Sequence, residues 1–277
     1  MTTNHFSPAF ADKIEIAGTI TKLPVSAAGK VIISGSHGGE LPGGMAMRAR
    51  ARAVILNDAG VGFEGAGIGS LAFVQKFGMA AATVSCMSCR IGDADDMVAR
   101  GIISHANEPA LVAGVRIGQS CTEAAQHLTS APLANIRGPV PEFSEHRKTV
   151  ELDGSHRGLV LVDSASMVVP EDTNQVVLTG SHGGLIGGDP KFAIKAPVYA
   201  AFYSDAGIGI EDWGLSRLPA LDARDIAGVT LDCMSFRIGD ARSGYATGIV
   251  SHLNKRAQQL GITQGMTAKS AVQTLCC

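Results

Sequence analysis

Aromatic residues are scarce in this chain: they make up 5% of its 277 residues, with a single Trp. That argues against an aromatic-rich β-sandwich and for an α/β interior of Ala, Val, Ile and Gly, since 45% of the residues are hydrophobic and 34 are Gly. An excess of basic charge is also missing. Lys and Arg number 23 against 25 Asp and Glu, a net charge of −2, so the electrostatic footprint of a nucleic-acid binder is absent. No apolar run reaches the ~18 residues that span a membrane. Six cysteines are too few for a disulfide scaffold, so a reduced, cytoplasmic setting is expected. Residues 1–13 show no basic stretch followed by an apolar one, so a secretory signal is not expected. The terminal Cys276-Cys277 pair reads as a frayed end.

Several motifs are absent as well. There is no GxxxxGK[ST] phosphate loop, no GxGxxG in a dinucleotide-binding setting, no GxSxG elbow and no HExxH. ATP, NAD and the standard hydrolase schemes lose weight accordingly.

What the chain has is a set of motifs that occurs twice. GSHGG stands at 35–39 and again at 180–184. NDAGVG (57–62) returns as SDAGIG (204–209), CMSCRIGDA (86–94) as CMSFRIGDA (233–241), and GIISHAN (101–107) as GIVSHLN (248–254). His37 and His182 are 145 residues apart, whereas Asp58 and Asp205, Cys86 and Cys233, and His105 and His252 are each 147 apart. Such a separation is far longer than a solenoid or propeller period and points to duplication of a whole domain-sized unit. We place an N-terminal tail at 1–13, the repeats at 14–128 and 159–275, and a linker at 129–158 containing the Pro-rich, charged RGPVPEFSEHRK.

Within each repeat, apolar β-type runs precede the glycine motifs: GKVIISGSHGG, RAVILNDAGVG and AAATVSCMS, then QVVLTGSHGG, PVYAAFYSDAGIG and AGVTLDCMS. Continuous apolar runs suit parallel strands buried on both faces. Helices are expected over IGSLAFVQKFG, over DDMVARGIISHANEPALV, and near TEAAQHL and TAKSAVQTL. The predicted fold is α/β: a tandem duplication of a βαβαβα, Rossmann-like unit with a mostly parallel sheet and pseudo-two-fold symmetry. Three of the four motifs then fall just past strand C-terminal ends, where open α/β sheets bind ligands.

The motif residues carry recognisable chemistry. His37 and His182 are candidate general acids or bases, because imidazole titrates near neutrality. Ser36, Gly38 and Gly39, with Ser181, Gly183 and Gly184, are candidate substrate-binding residues whose N–H groups form an anion nest; a tight turn with a structural His is the plainer alternative. Asp58 and Asp205 either orient a base or abstract a proton, or close an Asx turn. Cys86 and Cys233 are candidate nucleophiles if a nearby Arg and helix N-terminus lower their pKa, and small buried hydrophobes otherwise. Cys89 completes a CxxC in the first repeat, but Phe236 replaces it in the second, which disfavours a redox or zinc pair. Arg90 and Arg237 suit carboxylate binding, with Asp93 and Asp240 as structural alternatives. His105 and His252 are expected on a helix.

The duplicated plan resembles that of the aspartate/glutamate racemase superfamily, in which two similar α/β halves each present a cysteine to one cleft. The resemblance is one of architecture, since the surrounding motifs differ. The leading expectation is an enzyme on a small anionic, carboxylate-type metabolite, hydrolysing an amide, ester or ring bond in a cleft between the halves. An isomerase or racemase with one acid/base per half comes second. A metal-dependent hydrolase or lyase follows, using His37, Asp58 and His105 with His182, Asp205 and His252 around a divalent transition metal. A non-catalytic anion-binding protein comes last. No cofactor is expected under the first two readings, and a homo-oligomer is expected under all of them.

Overall fold

The computed structural model describes residues 6–135, 145–152 and 154–277. These form two compact units, one of residues 6–60, 66–135 and 209–211, the other of residues 61–65, 145–152, 154–208 and 212–277. Each unit thus includes a short segment from the opposite half of the chain.

The first unit opens with α1 (Pro8–Ala11) and β1 (Ile14–Ala17), followed by β2 (Val31–His37), α2 (Glu40–Arg48), β3 (Ala53–Asn57), α3 (Gly69–Gln75) and β4 (Ala80–Val84). It closes with α4 (Ala94–Arg100), β5 (Ile103–Ala106), α5 (Glu108–Val112) and α6 (Cys121–Leu128). The strands lie in chain order, β1 to β4 parallel and β5 antiparallel to β4. Alternation along the pleat sends successive residues to opposite faces. Ile32, Val54 and Ala81 face α2 and α3, packing with Met47, Leu71 and Val74. Ile33, Ile55 and Ala82 face α4 and α6, packing with Met97, Ala124 and Leu128. Both faces are covered, as a parallel sheet requires.

The second unit runs β6 (Arg147–Val150), β7 (Leu159–Val162), β8 (Val176–His182), β9 (Ala200–Ser204), α7 (Arg217–Asp222), β10 (Ala227–Leu231), α8 (Ala241–Thr247), β11 (Val250–Leu253), α9 (Lys255–Gln259) and α10 (Ala268–Cys276). Its six strands also follow chain order, with β7 to β10 parallel and both edge strands antiparallel. Val160, Val177 and Ala201 pack on one face with Tyr203 and Leu221, and Leu161, Leu178 and Phe202 on the other with Phe236 and Val272.

The mixed α/β expectation is met, with mostly parallel sheets of five and six strands. Several local expectations are not. Strand β6 lies inside residues 129–158, the stretch read as a linker, whose residues 136–144 fall outside the described ones. Strand order does not reverse in either sheet, so neither has the switch point at which doubly wound sheets bind dinucleotides. The long helix expected over DDMVARGIISHANEPALV is three elements, α4, β5 and α5. Gly101 caps α4 in extended conformation, and a Cβ there would sit 2.4 Å from the Met97 carbonyl oxygen. The β-branched Ile102 and Ile103 then favour the strand, and Asn107-Glu108-Pro109 starts the next helix. Cys276 is buried in the last turn of α10 and not frayed. No helix among the described residues is long and apolar enough to cross a membrane.

Candidate functional site

In the first unit, β2, β3 and β4 deliver three motif residues to one sheet edge. His37 pairs with Asn57 across β2–β3, and Asn57 pairs with Val84 across β3–β4. Asp58 and Cys86 follow within two residues of those strand ends. Neighbouring strands lie about 4.8 Å apart, so Asp58 stands between His37 and Cys86. His182, Asp205 and Cys233 take the corresponding places at the C-terminal ends of β8, β9 and β10 of the second unit.

Asp58 is 5% exposed, and its Oδ1 accepts the Gly60 N–H at 3.1 Å and the Cys86 N–H at 2.9 Å. Asp205, 4% exposed, does the same with Gly207 at 3.1 Å and Cys233 at 3.0 Å. The Asx-turn role therefore holds, but it uses only one carboxylate oxygen of each residue. Each aspartate carboxylate also lies beside the thiol whose backbone N–H it holds, and it opposes that thiol's ionisation. Burial, then the charge and hydrogen bond of Asp58, push the Cys86 thiol up to about 12. Burial, then the Asp205 and Asp232 carboxylates, push Cys233 up to about 12 as well. This overturns the expectation of low-pKa thiolate nucleophiles: at neutral pH each aspartate faces a protonated thiol.

The loop after each aspartate is left-handed for four residues in succession. Ala59, Gly60, Val61 and Gly62 have φ of 48°, 74°, 64° and 72°, and Ala206, Gly207, Ile208 and Gly209 have 51°, 74°, 64° and 74°. Glycine adopts this region freely, whereas a β-branched residue there is a true outlier. Side chains hold the strained turn. Asn57 Oδ1 accepts the Ala59 N–H at 2.9 Å, and Ser204 Oγ accepts that of Ala206 at 3.1 Å.

His37 is 8% exposed, and burial lowers its pKa to about 4. Its Nδ1 accepts the Gly39 N–H at 3.2 Å, so the neutral ring carries its proton on Nε2. Of the general acid or base roles expected of it, His37 is thus arranged as a neutral N–H donor. His182 is buried to the same degree.

At Gly38, Gly39 and Gly183 the N–H groups expected to form an anion nest are given to the protein itself. The Gly38 N–H is given to the Asn57 carbonyl at 2.7 Å, the Gly183 N–H to that of Ser204 at 2.7 Å, and the Gly39 N–H to His37. Gly38 and Gly183 are required instead by close packing, since a Cβ would lie 2.5 Å from the Gly67 oxygen and 2.2 Å from the Gly214 oxygen. Gly184 gives its carbonyl to Arg217 Nε at 3.1 Å. Ser36 and Ser181 accept the N–H groups of Ile20 and Ala165, at 3.0 and 2.9 Å, and so pin the turns that precede β2 and β8.

Arg90 and Arg237 are likewise engaged within the protein. Arg90 Nε donates to Glu211 at 2.7 Å, and Arg100 Nη1 donates to the other oxygen of Glu211 at 2.8 Å. Arg237 Nε donates to Glu64 at 2.7 Å. Asp93 and Asp240 cap α4 and α8. Glu64 and Glu211 were missed in the sequence, although they stand 147 residues apart like the other pairs and the repeat could have shown them.

His105 and His252 lie on β5 and β11, not on helices. The structural member of that motif is the asparagine. Asn107 Oδ1 accepts from Ala81 and Ala110, and its Nδ2 donates to Leu71 and Met79; Asn254 repeats the arrangement with Gly228, Ala257, Leu218 and Ile226. The two His–Asp–His sets do not converge on a metal position. Among the described residues, the one group of three or more His, Cys, Asp or Glu ligand atoms lying within 4.8 Å of one another is Asp205, Asp232 and Cys233. In the first unit, Ser85 precedes Cys86 as Asp232 precedes Cys233 in the second. Cys89 is a buried structural thiol that accepts from Asn57 Nδ2 at 3.7 Å.

No family model, curated protein or solved structure was found to match the chain.

Proposed function

We propose that this chain is an isomerase acting on a small carboxylate-type metabolite, moving a proton at a carbon next to a carbonyl. The observation that carries the reading is the repeated carboxylate–thiol pair, Asp58 with Cys86 and Asp205 with Cys233. In each pair burial and the neighbouring carboxylate keep the thiol protonated at neutral pH. The sulfur can take a proton from a carbon acid while passing its own to the aspartate, and the reverse transfer reloads the carbon. The neutral His37 Nε2–H suits the oxygen on which enolate charge collects, as a donor that brings no net charge of its own. Hydrolysis through a covalent thioester falls to second rank, because a thiol held near 12 supplies little thiolate at neutral pH. At the level of the fold, the reading treats the two units as copies of one ancestral α/β unit.

The test is deuterium uptake. Incubation with a panel of amino, hydroxy and keto acids in deuterated water, followed by mass spectrometry, should show α-carbon labelling without net hydrolysis. Substrates cleaved without labelling would reject the isomerase reading in favour of a hydrolase.

The convergence of Asp205, Asp232 and Cys233 favours a second reading, a metal-assisted hydrolase or lyase. Two carboxylates and a thiolate leave a fourth position open in a tetrahedral zinc-type site. Metal bound by the wild type and lost in Asp232→Ser would support it.

A further inference from the structure

We infer that Glu211 and Glu64 are positioning residues, each seating a loop against one of the two cysteines. The inference rests on the reading that the aspartate–cysteine pairs carry the chemistry. Residues 209–211 belong to the first compact unit and residues 61–65 to the second. In the first, the Ile210 N–H donates to the Cys86 carbonyl at 2.9 Å; in the second, the Phe63 N–H donates to the Cys233 carbonyl at 2.8 Å. The approach is close enough to require glycine beside it, since a Cβ on Gly209 or Gly62 would lie 3.0 or 3.1 Å from the same carbonyl oxygens. Each cysteine is therefore held from two sides. Its N–H is fixed by its own aspartate, and its carbonyl by a segment from the opposite half of the chain.

That segment reaches the cysteine through the strained left-handed turn and ends on the glutamate. Glu211 and Glu64 themselves have φ of 59° and 54°. Glu211 anchors its end through Arg90 and Arg100, and Arg100 is itself braced by Asp96 at 2.8 Å. Glu64 anchors its end through Arg237. Releasing the glutamate removes the contacts that offset the strain, so the backbone donor on the cysteine carbonyl withdraws and the thiol loses its cover. This explains why RIGDA and the glutamate of GVGFE and GIGIE recur together: the arginine four residues after Cys86 or Cys233 holds the glutamate that keeps the loop in place.

The test is alkylation of each thiol by iodoacetamide at pH 8, resolved by peptide mass spectrometry, with the exposed Cys277 as internal reference. Glu211→Gln should raise the rate at Cys86 about fivefold and leave Cys233 unchanged, while Glu64→Gln should raise Cys233 about twofold and leave Cys86 unchanged, the larger change following the two-arginine anchor. General loosening would raise both thiols together in either variant, and that outcome, or no change at either thiol, overturns the inference. Deuterium uptake is measured on the same samples. Crossed alkylation without any uptake by the wild type would reject the proposed activity and keep the positioning role. Uptake with unmoved alkylation would do the opposite.

Discussion

After the same Gly-Ser-His-Gly-Gly, the two units diverge. The first continues into α2, a helix of nine residues, while the second has only short 3₁₀ turns at Ile186–Gly188 and Pro190–Phe192. The difference is tied to one position at the start of the next helix. Ser70 is wholly buried there in the first unit, and its Oγ lacks a hydrogen-bond partner. In the second, 147 residues on, stands Arg217, 3% exposed, donating to the carbonyls of Gly184, Phe192 and Ala193 and stacking over Tyr203. A helix satisfies its own carbonyls; irregular turns do not, and a buried guanidinium with five donors supplies what they lack. The aspartate–cysteine pair, the left-handed turn and the arginine–glutamate anchor are nevertheless alike in both units. The aspartate–cysteine pair is common to both units, and the two differ beside it, where Asp232 stands against Ser85, and behind it, where Arg217 stands against Ser70.

The comparison can be broken most severely at the shared pair. Cys86→Ser and Cys233→Ser should each lower the rate of deuterium uptake by about 10²–10⁴-fold, the range of an acid–base group. Full activity in either variant would make the two pairs unequal. The next contrast is metal uptake, measured by mass spectrometry of the purified protein. Ser85→Asp should give the first unit the acidic set of the second, and Asp232→Ser should remove it.

Stability should separate the flanks. Arg217→Met leaves three carbonyls without their donor and should cost about 3 kcal/mol in denaturant unfolding. Ser70→Ala removes a hydroxyl that has no partner and should change stability by less than about 1 kcal/mol in either direction.

The His37 prediction turns on pH. Below 6.5 the unfolded chain protonates this imidazole, while the folded one does not until about 4. The folded state therefore loses stability as the pH falls through that window, by at most about 3 kcal/mol. His37→Gln should flatten that part of the curve, and an unchanged slope would show that His37 is not the group responsible.

Much of the fold was legible because its strands are buried on both faces. Runs such as AVILN and AAATV are buried along their whole length, with no polar side to confuse their period, and each gives way to a motif, NDAGVG or CMSCRIGDA. The candidate edge followed from those endings. The protonation of the groups on it did not follow. Cys86 precedes an arginine by four residues, which reads as a lowered thiol pKa, yet Arg90 turns to Glu211 and the thiol meets Asp58 in a buried place. His37 reads as a base until Gly39 occupies its Nδ1.

By itself, then, the amino-acid sequence determined that this chain carries the same four motifs twice, that apolar strands deliver three of them to strand ends, and which residue types stand there. Residue spacing and side-chain periodicity suffice for that, because whether a segment forms a buried strand depends on its local pattern. Only the tertiary structure decided that the Cys86 and Cys233 thiols are buried beside carboxylates, that Gly38 and Gly183 pack against backbone carbonyls, and that Glu64 and Glu211 reach the arginines. Those outcomes depend on burial and on partners 28 to 173 residues away along the chain, and no local pattern encodes either.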